Sequence, residues 1–177
     1  MARPLKYKAT LKSHYVEGLE NVLQRYREES KKVTEGGTRG LVLFAVHIRR
    51  VTESEIPYTP YDKGNLRASW FTVAAHGVIP DPLGFSGNFK TPRYKHITKG
   101  QLSGEHRAVV AASLSEVRSR KEPNLMFGYS ANYALAVHEM VGVENWSKLG
   151  SDAKWLENHL GRNVSTFKKI MQNNMKV

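Results

Sequence analysis

The residues best suited to chemistry are the histidines and the few aspartates. His138-Glu139 invites comparison with a zinc hydrolase motif. That motif needs a second His four positions after the first, so that both imidazoles share one helical face. Position 142 is Gly142, and the zinc reading fails there. The other histidines, His14, His47, His76, His96, His106 and His159, are scattered at spacings that suit no metal. Gly36-Gly37-Thr38-Arg39-Gly40 is glycine-rich, but it ends in no Gly-Lys-Ser/Thr and follows no strand, so it does not read as a phosphate cradle. There is no Gly-x-Ser-x-Gly nucleophile elbow. Asp62, Asp81 and Asp152 are the only aspartates, and none pairs with a nearby acid in a hydrolytic pattern. With no Cys, thiol nucleophiles, disulfides and thiolate metal sites are excluded. No enzyme, metal or cofactor is expected.

The chain of 177 residues has the size of one ordinary domain. Its 27 Lys and Arg exceed its 16 Asp and Glu, for a net charge of +11. Such a charge favours an anionic partner: nucleic acid, an acidic protein or an anionic membrane surface. Membrane binding is the weakest of these, because it needs a basic helix with a free apolar face. No apolar run approaches a membrane span, and the basic start Met1–Lys8 has no apolar segment behind it, so no signal peptide is expected.

Around these residues the periodicity predicts an α+β fold. Tyr15, Leu19, Val22, Leu23 and Tyr26 make a helical stripe over Ser13–Lys32, with Ser13 as its cap. Gly36-Gly37 then stops that helix, and a second runs from Thr38 to Glu55 on Leu41, Phe44, Ala45, Ile48 and Val51. Pro57 and Pro60 end it. Asp62 and Gly64 predict a turn, with the Asp62 carboxylate bonding to the backbone two residues on. Partial alternation predicts strands over Ala68–Ile79 and Arg107–Arg118, the latter with Val109, Ala111, Ser113 and Val117 on one face; Leu125–Tyr129 reads as a third. Pro80–Gly104 reads as a long loop or insertion. Lys121–Asn124 is a turn, and Asn132–Met140 a short helix. A final helix runs from Ser151, its cap, to about Met175 on Leu156, Leu160, Val164, Phe167 and Met171. The expectation is one domain over 1–177, with a basic arm at 1–12 and helices packed on a small, mostly antiparallel sheet.

Three segments, in order, carry a resemblance. They are Pro60-Tyr61-Asp62-Lys63-Gly64-Asn65-Leu66-Arg67-Ala68-Ser69, then Gly128-Tyr129-Ser130-Ala131-Asn132-Tyr133-Ala134 running on to Val137-His138-Glu139, then Gly150-Ser151-Asp152-Ala153-Lys154-Trp155-Leu156-Glu157. Over roughly residues 13–175 the chain resembles the tail-component proteins of tailed bacteriophages, also described as head–tail joining, neck or tail-completion proteins. Those proteins carry a Pro-x-Asp-Thr-Gly-x-Leu-Arg-x-Ser stretch. Here Lys63 stands where Thr is usual, and Pro80–Gly104 is longer than the family's connection.

The resemblance implies a non-enzymatic virion protein, assembled in the host cytoplasm. Copies would form a homo-oligomeric ring, a hexamer, at the head–tail junction. That ring would lie between the portal-side connector and the tail-tube or tail-terminator proteins, and DNA would pass through it. In this setting Asp62 and Gly64 fix the turn from helix into sheet, Leu66 anchors it, Arg67 pairs with an acid across a subunit boundary, and Ser69 closes the motif. Phe85, Phe89, Tyr94 and Ile97 are candidate interface anchors, and Lys90, Arg93, Lys95 and Lys99 candidate contacts to acidic partners or viral DNA. The alternative is a basic nucleic-acid-binding module or regulator. The charge supports it, but the sequence has neither zinc ligands nor the aromatic sheet motif of RNA readers.

Overall fold

A computed structural model describes residues 13–93 (backbone alone for 13–19), 97–142 and 146–176. Helix α1 spans Ser13–Ser54, and a one-turn helix α2 spans Asn65–Ala68. Strand β1 (Trp70–Ala74) and the two-residue strand β2 (Gly77–Val78) form a hairpin. Helix α3 (Lys99–Ser119) leads to strand β3 (Leu125–Tyr129). Helices α4 (Ala134–Glu139), α5 (Trp155–Arg162) and α6 (Val164–Asn174) complete the chain. The architecture is α+β, as expected. Its three strands lie in the order β2-β1-β3, with both pairings antiparallel.

In the β1–β3 register Trp70 faces Tyr129 and Val73 faces Met126. Side chains alternate along a strand, so Trp70, Phe127 and Tyr129 share the face that receives Ile48 and Val51 of α1. Helix α3 packs on the sheet as well. Trp70 and Trp155 are each 1% exposed. A buried aromatic of this size contributes on the order of 5 kcal/mol of transfer free energy.

The glycine stop at Gly36-Gly37 is not observed, because α1 runs through it without interruption. Glycine inside a helix costs about 1 kcal/mol against alanine, and tertiary packing offsets that cost here. A Cβ on Gly36 would collide with the Asn174 carbonyl, and one on Gly40 would lie 2.7 Å from the Met171 sulfur. The glycines let α6 lie close against α1, beside the Phe44–Phe167 ring contact at 4.9 Å.

The expected strand over Arg107–Arg118 is helix α3. Its start is fixed by a reciprocal capping box. The Gln101 amide donates to Thr98 Oγ1 at 3.1 Å, and the Thr98 amide donates to Gln101 Oε1 at 2.7 Å. The buried positions Leu102, Ser113 and Val117 follow the helical period, and the apparent alternation among Val109, Ala111 and Ser113 is incidental to it. The loop expected to reach Gly104 therefore ends at Thr98. The strand expected over Ala68–Ile79 is the end of α2 followed by the β1–β2 hairpin.

The single C-terminal helix is two. Asn163 separates α5 from α6 and donates through Nδ2 to the His159 carbonyl at 2.9 Å, while its Oδ1 lies 2.7 Å from His47 Nε2. Ser151 caps nothing; it forms a parallel bridge with Tyr58. Helix α5 starts instead after Lys154, whose φ is 55°.

Candidate interaction surfaces

The Asp62–Ser69 motif sits where the chain leaves α1 for the sheet. Gly64 takes φ 85°, a left-handed conformation natural to glycine. The Ser69 hydroxyl donates to the Leu66 carbonyl at 2.7 Å, and the Ser69 carbonyl accepts from the Ser130 amide at 2.8 Å. Asn65 Oδ1 accepts from the Lys90 amide at 2.8 Å, tying the following loop to the bend. Asp62 itself is exposed and accepts no hydrogen bond among the described residues, so the expected Asp62 turn bond is absent. The Gly64 backbone and Asn65 do that work instead.

Leu66 lies in one buried cluster with Ala131, Ala134 and Trp155, against which Tyr129, Tyr133, Val137 and Leu156 pack. The Trp155 ring meets Tyr129 edge-on at 5.8 Å and His138 at 4.8 Å. The three resemblance segments, the first distant in the chain from the other two, thus converge on one tryptophan. His138 is a packing residue there, with Nδ1 3.0 Å from Glu139 Oε1.

Beneath the bend lies a buried charge network. Arg49, with a fully buried side chain, reaches Glu53 Oε1 at 2.7 Å, Asp81 Oδ1 at 3.0 Å and the Arg67 carbonyl at 3.1 Å. Arg67 pairs with Glu53 of its own chain at 2.7 Å and lies over the Tyr61 ring. The acid expected across a subunit boundary is therefore intramolecular: one helical turn separates Arg49 from Glu53, and the bend carries Arg67 back over α1. Asp81 also accepts from the amides of Leu83, Phe85 and Ser86. Burial works against the Asp81 carboxylate, but the Arg49 guanidinium and these amides outweigh it and hold its pKa below the ordinary value. Burial pushes Glu53 the other way, upward, against the pull of Arg49 and Arg67. Sequence reading missed this network. The Arg49–Glu53 spacing was visible as a helical pair, but Asp81 lies 32 residues from Arg49.

The loop after β2 divides the remaining candidates. Phe89, expected as an interface anchor, is 3% exposed and packs with Ala68 and Leu102. It is core, because the Asn65–Lys90 bond draws the loop inward. Ile97 is half-buried on the same cluster, and Phe85 is exposed, with the Arg49 guanidinium 5.9 Å from its ring. Lys90, Arg93 and Lys99 are exposed. Tyr94 and Lys95 lie outside the described residues, as does the arm 1–12. His106 Nδ1 lies 2.8 Å from the Ser130 hydroxyl, joining α3 to the end of β3.

A cleft of about 500 Å³ opens beside the bend, lined by Tyr61, Leu66, Arg93, Tyr133 and Trp146 among others. Burial, then the nearby Asp62 charge, pushes the Tyr133 hydroxyl up to about 12, so it stays protonated as a donor. Among the described residues no group of three His, Cys, Asp or Glu is placed to hold a metal ion, and no helix is long and apolar enough to cross a membrane.

No family model, curated protein or solved structure matches the chain.

Proposed function

We propose that the chain is a structural subunit of a tailed-bacteriophage neck, forming a ring at the head–tail junction through which DNA passes. One observation carries the reading. The three segments that resemble the head–tail joining family meet in a single cluster around Trp155, so the resemblance falls on one structural unit. The buried network of Arg49, Glu53, Arg67 and Asp81 stiffens the bend beside it. A stiff bend of this kind suits ring closure, in which one surface of a copy meets a different surface of the next. Exposed Lys90, Arg93 and Lys99 would meet acidic neighbours, which offset the +11 carried by every copy. A particle reconstruction tests the proposal: density for this fold between portal and tail supports it, and absence from mature particles overturns it.

The same three cations, with the net charge, favour a second reading as a DNA-binding module. Titrating salt against duplex DNA separates the two. A steep loss of affinity with salt, combined with sequence preference, favours the module, whereas weak non-specific binding favours the neck.

A further inference from the structure

Among the described residues no strand pairs with the outer edge of β3. Main-chain bonds alternate in direction along an antiparallel strand. On β1, the Ser69 carbonyl, just before the strand, accepts from Ser130, and the Thr72 carbonyl accepts from Ile79 on the opposite side. In this register the amides and carbonyls of Leu125, Phe127 and Tyr129 point away from β1. Among the described residues no backbone group bonds to them. Leu-Met-Phe-Gly-Tyr is an apolar edge with neither charge nor proline to block pairing.

The chain also carries a segment suited to that edge. Leu5-Lys6-Tyr7-Lys8-Ala9-Thr10-Leu11-Lys12 alternates apolar and polar residues without a break, the pattern of a half-buried strand. This segment leads straight into α1, and α1 decides what it can reach. Gly37 is the position on α1 that meets Pro123, just before β3. Ser13 lies about 36 Å further out along the axis, at 1.5 Å per residue. Residues 5–12 adjoin Ser13 and, fully extended, reach only about 27 Å from it. They cannot double back to their own β3. The projecting half of α1 also exposes Val22, Leu23 and Tyr26, the last at 72%, so it is an apolar lever with no partner among the described residues.

We infer that residues 5–12 of one copy add as a fourth strand to the outer edge of β3 in a second copy, with the projecting half of α1 spanning the gap. Main-chain bonds from the donated strand would supply affinity, and the alternating Leu5, Tyr7, Ala9 and Leu11 would supply register. The inference deepens the ring reading at one point, by naming how copies join.

The absence of cysteine makes a direct test simple. Lys8→Cys is placed in one tagged full-length chain and Glu122→Cys, at the exposed approach to β3, in another. The two are mixed and treated with a short bis-maleimide. Cross-linked species carrying both tags are expected, and cross-links confined to one chain, or none, overturn the inference. In parallel, Ala9→Pro removes an amide from the arm, and sedimentation should show self-association weakened at least tenfold with an unchanged circular dichroism spectrum. Assembly unaltered by Ala9→Pro, without mixed cross-links, overturns the arm and leaves the ring standing. A chain that stays monomeric at every concentration overturns both.

Discussion

Replacing Arg49 by Met tests the charge network directly. Methionine keeps the aliphatic bulk against Trp70 and removes the guanidinium. Asp81 and Glu53 side chains are only 2% and 9% exposed, so both would be left with less compensation in a dry site. Breaking a buried pair from one side costs about 3–5 kcal/mol. Asp81 keeps three backbone donors and Glu53 keeps Arg67, so the low end applies, about 3 kcal/mol. Against a total stability of roughly 5–15 kcal/mol this is a large loss. Urea unfolding followed by tryptophan fluorescence reads it, since Trp70 sits 5.3 Å from the Arg49 guanidinium. The midpoint should fall with the slope unchanged. Adding Asp81→Asn to R49M should cost less than the two separate losses together, with a coupling of about 1–3 kcal/mol. A cost for R49M below about 1 kcal/mol, or additivity within about 0.5 kcal/mol, would refute the claim that these charges hold the bend.

Four further outcomes follow from the same geometry. Gly36→Ala should loosen α6 from α1 and lower stability, because the added methyl meets backbone, whereas Gly40→Ala should be neutral or gain up to about 1 kcal/mol, because the flexible Met171 can move aside; thermal unfolding of the two variants reads the contrast. Thr98→Ala should cost about 1 kcal/mol and fray the start of α3, seen as faster amide exchange over residues 99–102. A carboxyl with a lowered folded-state pKa stabilises above its unfolded value and loses that contribution as pH falls through the folded one. Below about pH 4, then, wild type should lose stability more steeply than Asp81→Asn, while Glu53, shifted upward by burial, contributes with the opposite sign in both proteins. If Lys90, Arg93 and Lys99 meet acidic neighbours, reversing all three to Glu should leave the fold intact by circular dichroism and abolish joining of heads to tails in a complementation assay.

Legibility differed from element to element. Strand β3 could be read at its bounds, because a short apolar run with Phe127 and Tyr129 lies between a proline turn and Ser130. The α1 stripe of Phe44, Ile48 and Val51 was equally plain. Helix α3 was not, because its small side chains satisfy both the two-residue and the helical period over a short window. The signal that would have settled it was Thr98-x-x-Gln101, a helix start rather than a strand. The candidate surface was legible in part. Lys90, Arg93 and Lys99 stood out as cations and are exposed, but Phe89 was offered as an anchor and is core.

Local chemistry alone determined several features: the α+β class, the bend at Gly64, the positive charge and the absence of thiol chemistry. Backbone preference and side-chain periodicity act over a few residues, and those features need nothing longer. The tertiary structure decided whether Gly36-Gly37 ends a helix or admits another one, which acid Arg67 meets, and that Asp81 belongs under Arg49. Each of these depends on which distant segment arrives within a few ångströms. Side-chain pairing across such distances is set by how the layers pack, and no local spacing encodes it.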